Sequence, residues 1–122
     1  MEKKYRLLEN DTITADGRTL HRIEALKDFA DVKKGDKGGY IESEINLSHE
    51  GNCWVSGNAW VCDKALVSGN ARVSGNAWVC DKALVSGNAQ VYDDAWVYDD
   101  AWVSANACVY GDAKVSGGNI RS

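Results

Sequence analysis

Proline is absent from this chain of 122 residues, and phenylalanine and methionine occur once each. Without proline, no strand loses an amide donor, and every residue can join a hydrogen-bonded ladder. Histidine occurs only twice, at His21 and His49, which is too few for a three-histidine zinc site. No sign of charge dominates. The 14 basic and 18 acidic side chains leave a net charge of -4 and argue against a nucleic-acid-binding surface. Nor is either sign gathered into a tail, since residues 1–52 hold 9 basic and 11 acidic groups and residues 53–122 hold 5 and 7. No apolar run approaches the ~18 residues of a membrane span, and the opening MEKKYRLLEND lacks the apolar core of a secretory signal, so a cytoplasmic protein off the membrane is expected. Four cysteines in that setting read as free thiols.

What the chain does have is repetition. Val recurs at 55, 61, 67, 73, 79, 85, 91, 97, 103, 109 and 115, a constant step of six, and Ala stands two residues before each Val from Val61 onward, with Cys53 in that place before Val55. The unit is Ala-x-Val-x followed by two turn residues. A longer period overlies it. Val55–Ala71 and Val73–Ala89 are the same seventeen residues, VSGNAWVCDKALVSGNA, offset by eighteen, or three units. In an extended Ala-x-Val, the alternation turns Ala and Val to one side and x to the other. Gly-Asn fills the turn at 57–58, 69–70, 75–76 and 87–88, and Gly, Asn and Asp tolerate the left-handed backbone of a sharp corner. Three short strands and three corners close a triangular coil, and coils stack at ~4.8 Å through parallel ladders. The fold class expected is therefore all-β: a single-stranded parallel β-helix with three hexapeptides per coil.

The frame extends back from Cys53 through Ile45-Asn46-Leu47 to Gly39-Tyr40-Ile41, with His49 and Glu50 as a two-residue bulge. The expected organisation is a capping segment over 1–38 and a β-helix over 39–122. In the cap, Lys4–Leu8 and Thr19–Leu26 read as strands around Ala15-Asp16-Gly17, although Ile23–Phe29 also fits one or two helical turns. Covering the open strand edges of the first coil is the job assigned to this segment.

The unit [Val/Ile/Leu]-x-[Gly/Asp]-[Asn/Asp]-Ala-x resembles the hexapeptide signature of left-handed parallel β-helices. Lys4-Tyr5-Arg6-Leu7, Arg22-Ile23-Glu24-Ala25-Leu26, Gly35-Asp36-Lys37-Gly38-Gly39 and Asn46-Leu47-Ser48 resemble the cap of the YdcK-like group of bacterial and prophage proteins. The resemblance implies a left-handed coil, where the general crossover rule favours a right hand. It also implies a bacterial or infected host cell as the setting. The family is similar in name and fold to sugar acyltransferases, which use a histidine base and a loop thrust from the coils. Here neither histidine lies in the eleven regular units, and no insertion longer than two residues interrupts them. No catalytic residue, metal ligand or cofactor is assigned on this reading, and the chain is expected not to be an enzyme.

The outward x positions, folded modulo eighteen, fall on three faces. The first carries Trp54, Arg72, Gln90 and Cys108; the second Tyr40, Trp60, Trp78, Trp96 and Lys114; the third Asn46, Leu66, Leu84, Trp102 and Ile120. Aromatic and apolar side chains in contiguous outward stripes exceed what a soluble monomer normally exposes. The expected partner-binding face is thus Tyr40, Trp60, Trp78, Trp96, Leu66, Leu84 and Trp102, and an end-to-end interface is placed at Val115 and Ile120. The function expected is a non-catalytic scaffold that binds itself or a protein partner, with a phage accessory or host-defence-inhibiting role in view. The alternatives are a hexapeptide-type acyltransferase and a small-ligand or nucleotide binder using stacked Trp between subunits. Cys62 and Cys80 stand one coil apart, close enough for a disulfide, though free thiols are the ordinary outcome. Asp93, Asp94, Asp99 and Asp100 read as solvated corners.

Overall fold

The computed structural model describes residues 3–15 and 17–121; Asp16, placed in the expected turn, lies outside them. Two long strands, β1 (Tyr5–Ala15) and β2 (Arg18–Ala25), form an antiparallel hairpin. β2 pairs antiparallel with β3 (Lys37–Ile41), and β3 pairs in parallel with Trp60–Val61. From there the chain is a β-solenoid of about four turns, built from two-residue strands on three stacked sheets.

The first sheet continues from β3 through Trp60–Val61, Trp78–Val79, Trp96–Val97 and Lys114–Val115. The second stacks Trp54–Val55, Arg72–Val73, Gln90–Val91 and Cys108–Val109, and the third Leu66–Val67, Leu84–Val85, Trp102–Val103 and Asn119–Ile120. Each strand from Trp54 to Lys114 aligns with the one eighteen residues away, so a coil is three six-residue units. Ala59 through Ala107 and Val55 through Val103 are fully buried, stacked at the eighteen-residue offset into interior columns on each of the three sheets. The narrow prism has room for little else, which is why the inward positions are so uniform.

The corners are set by backbone conformation. Gly57, Gly69, Gly75 and Gly87 take φ between 63° and 65°, and Asp63, Asp81, Asp93 and Asp99 take φ between 55° and 63° in the same turn position. Corner amides also donate hydrogen bonds up the stack, as from Asn58 to the Gly75 carbonyl at 2.9 Å and from Asn76 to the Asp93 carbonyl at 2.9 Å.

Two expected positions move. Asn46 does not face outward on the third sheet. Glu44–Asn46 is a single 3-10 turn that leaves Ile45 63% exposed and Asn46 fully buried. The Asn46 carboxamide then stands in for a missing strand: Nδ2 donates to the Asp63 and Ala65 carbonyls, and Oδ1 accepts from the Glu42 and Ser43 amides. Leu47 keeps its place, fully buried and bridged to Val67. Ile120 also shifts by one. It pairs with Val103, in the inward column, and Asn119 pairs with Trp102. Gly118, at φ 76°, shortens this corner, so the apolar Ile rather than Arg121 enters the interior register.

Candidate interaction face

Alternation places the three indoles of the first sheet on its outer side, and the eighteen-residue register sets them directly above one another. Trp60 and Trp78 stack with ring centroids 4.6 Å apart and planes 4° from parallel; Trp78 and Trp96 do so at 4.6 Å and 5°. The spacing is that of the coils themselves, so the rungs hold the rings at contact distance, with about 0.5–1 kcal/mol gained per neighbouring pair. The ladder ends in a cation: Lys114 Nζ lies 5.1 Å from the Trp96 ring centroid.

Its other end is closed by the hairpin. Tyr40 pairs with Trp60 in register, but only 8% of it is exposed. The Arg22 guanidinium lies 4.5 Å over its ring and donates to its hydroxyl at 2.6 Å, and Leu20 packs beside it. Tyr40 is thereby withdrawn from the surface, because the antiparallel hairpin leans over the start of the stack. Ile13 and Leu20 reach on toward Trp60 and Cys62. Exposure rises along the ladder, with Trp60 and Trp78 half-buried and Trp96 36% exposed.

On the next sheet Leu66, Leu84 and Trp102 align in one register, with Leu84 37% and Trp102 45% exposed. A corner of Asp63-Lys64, Asp81-Lys82 and Asp99-Asp100 separates the two stripes. Val115 and Ile120 sit on the outermost described strands of their sheets, both partly exposed. On the second sheet Trp54 is covered, 3% exposed beneath Phe29 at 5.3 Å and Tyr5 at 6.4 Å, and Arg72 is paired with Asp31 at 2.6 Å.

Neither histidine presents a free ring. The Lys4 amide donates to His49 Nδ1 at 3.1 Å, which leaves the proton on Nε2 to donate to Glu44 at 2.8 Å, and the ring stacks on Tyr5 at 4.2 Å. His21 Nδ1 donates to the Leu8 carbonyl at 3.2 Å. Beside the hairpin tip, Arg18, Trp60, Cys62, Asp63, Trp78, Cys80 and Asp81 line a notch of about 240 Å³. Arg18 closes its rim by binding both oxygens of Glu42 at 3.0 Å and Asp63 at 3.3 Å. No cluster of metal-binding side chains occurs among the described residues, and no helix there is long and apolar enough to cross a membrane.

Sequence reasoning missed two buried polar groups. Lys4 is fully buried. Its Nζ donates to the Cys53 carbonyl at 2.7 Å and to Gly51 at 3.3 Å, 4.9 Å from the Phe29 ring centroid, plugging the first coil. Burial holds its ammonium below the usual lysine range and pushes the Cys53 thiol beside it up. Asn46 is the second. Lys4 lies outside the repeat frame, and at Asn46 the frame assigns an outward position that the 3-10 turn reverses.

A family model described as YdcK Beta solenoid repeat matches residues 65–81 and 89–105. The chain is also 40% identical over 75 residues to an Escherichia coli (strain K12) protein named "Uncharacterized acetyltransferase YdcK", a match covering 55% of this chain and 23% of that protein. The chain thus spans about a quarter of the relative's length. Resemblance to the YdcK-like solenoid proteins is shown in repeat and in fold. The relative's name corrects the expectation that the chain is not an enzyme. That expectation rested on the lack of a catalytic signature in the repeats, and solenoid repeats conform to a packing pattern that need not carry one.

Proposed function

We propose that this chain is a self-associating β-solenoid whose copies pair through the Trp60–Trp78–Trp96 ladder, helped by Leu66, Leu84 and Trp102. The observation that carries the reading is the exposed end of the ladder: Trp96 and, across one corner, Leu84 and Trp102 present their apolar surface together. The rings are already held rigid by stacking, so association orders few side chains that were free before. Trp and Leu on two regular, neighbouring faces are the composition of an interface core, and the charged corner between them would set the register of the contact.

Charge selects the arrangement. Side by side in parallel, two copies would set Asp99 and Asp100 against their own counterparts. Antiparallel about a two-fold axis, Asp99 and Asp100 meet the Asp63-Lys64 corner, and Asp81-Lys82 meets itself crosswise. An antiparallel dimer is the expected product. Light scattering tests it: the native chain should have twice its sequence mass, and Trp78→Lys, which leaves the core Ala77 and Val79 in place, should return it to a monomer. A native monomer at high concentration would overturn the proposal. End-to-end pairing through Val115 and Ile120 would instead survive Trp78→Lys and be lost on Val115→Pro.

The relative's name favours a second reading, acyl transfer. A groove between associated copies would be the place for the acyl donor. Titration of acetyl-coenzyme A by calorimetry, on the native chain and on Trp78→Lys, supports that reading if only the associated form binds.

A further inference from the structure

Cys62 and Cys80 occupy the same outward position of consecutive coils, just after the strands Trp60–Val61 and Trp78–Val79. Their amides are fixed by adjacent rungs, Cys62 N–H to the Val79 carbonyl at 3.0 Å and Cys80 N–H to the Val97 carbonyl at 2.9 Å. Aligned residues on neighbouring parallel rungs lie ~4.8 Å apart, inside the Cα range that a disulfide spans. The two Sγ atoms face each other at 2.7 Å, closer than two thiols ordinarily pack and longer than a disulfide bond. Cys62 is 9% exposed, Cys80 is partly open, and both line the notch beneath the hairpin tip.

We propose that Cys62 and Cys80 are a redox-active dithiol, converted by a low-molecular-weight disulfide into a bond that staples the first two regular coils. The thiolate of one cysteine attacks the small disulfide, forming a mixed disulfide and releasing one small thiol. The other cysteine then loses its proton and attacks the protein sulfur of that mixed disulfide, displacing the second small thiol. Two protein thiols are oxidised, one small disulfide is reduced to two thiols, and no other reactant is needed. Ring closure is favoured because the resolving sulfur is already in contact, so the mixed disulfide is short-lived. The contact with Cys80, and beyond it the Arg18 guanidinium, hold the Cys62 thiol below the ordinary cysteine range against the opposing effect of burial, which raises the thiolate fraction at neutral pH.

The other two cysteines are internal controls. Cys53 is fully buried against Lys4, and Cys108 is exposed, with its Sγ toward only the Asn106 carbonyl at 3.9 Å. In the folded chain Cys108 should take up the small thiol as a stable adduct, whereas the 62–80 pair should not. The bond would fix Trp60 over Trp78 and so lock the start of the ladder.

The test is oxidation of the native, folded chain by oxidised glutathione, diluted until light scattering reads monomer so that self-association does not bear on the result. Mass spectrometry of the trapped protein and of its peptides is the readout. The expected result is a loss of two hydrogens mapped to a Cys62–Cys80 cross-link, absent from Cys62→Ser and Cys80→Ser and unchanged in Cys108→Ser. With either single serine variant, the remaining partner should instead retain a glutathione adduct. Native protein with both thiols free after Cys108 has reacted fully, or with a stable adduct on Cys62 or Cys80, overturns the proposal. Because the cross-link is read on the native chain, the test does not depend on the variants folding.

Discussion

Single residues at the N-terminal end of the stack do the work that repetition does elsewhere. Tyr5 is fully buried, and its hydroxyl donates to the Leu47 backbone carbonyl at 2.5 Å, with the Glu44 backbone carbonyl nearby at 3.2 Å. Tyr5→Phe removes the donor but keeps the ring, and should cost about 1–3 kcal/mol, read as a lower melting temperature. Glu44 gives a pH signature. The hydrogen bond from His49, and then Lys3, hold its carboxyl below the ordinary 4.5. A depressed carboxylate stabilises the fold above its ordinary pKa, and the contribution is lost as pH falls through the lower, folded value. The melting advantage of native protein over Glu44→Gln should therefore shrink as pH is lowered from about 6 to about 3. Parallel curves would show that the contact contributes nothing. These residues were the least legible in the sequence. Lys4 is an ordinary polar letter in a non-repeating segment, Asn46 counts as an outward position of the six-residue frame, and only the folded chain shows the open carbonyls they satisfy.

The element that matters is the corner. Ala105 takes the left-handed backbone, at φ 55°, where most other coils place Gly or Asp. Ala105→Gly should stabilise the protein by about 0.5–1 kcal/mol, since the left-handed strain of an L-residue exceeds the extra flexibility of glycine in the unfolded chain. One coil below, Gly87 shows the reverse: a Cβ there would lie 2.9 Å from the Ala105 amide nitrogen. Gly87→Ala should destabilise by more than Ala105→Gly gains, as urea denaturation of the pair would read. Strand and corner positions from Cys53 to Val115 were legible because a six-residue step leaves no freedom of register. The step failed at Ile120. The Gly117-Gly118 corner is one residue short, and the interior column took the apolar side chain instead of the residue that counting assigns to it. The Glu44–Asn46 turn was hidden for a similar reason: Ile45 alternates like a strand residue yet is solvent-exposed.

For the whole molecule, the coil is the unit of stability. Hydrogen bonds between equivalent positions recur at an offset of eighteen, as between Asn70 and Asn88 and between Asn88 and Asn106. Removing residues 73–90 deletes one full coil and keeps every later residue in register, so the shortened chain should fold with an unchanged strand-rich circular dichroism spectrum and a lower melting temperature. The three-faced solenoid and the position of the tryptophan ladder could be read from the sequence because both follow from period and alternation. The covering of Tyr40 and Trp54 could not, since it depends on how a non-repeating hairpin and loop fold back over the coils. What the assembled surface does is tested most directly by sedimentation velocity across a wide concentration range, comparing native protein with Trp78→Lys. A native monomer–dimer equilibrium is expected, which the substitution abolishes while the chain stays folded, with its melting temperature lowered only modestly by the lost ring stacking and the lost association. A native chain that sediments as a monomer throughout, or a Trp78→Lys chain that still dimerises, would contradict it.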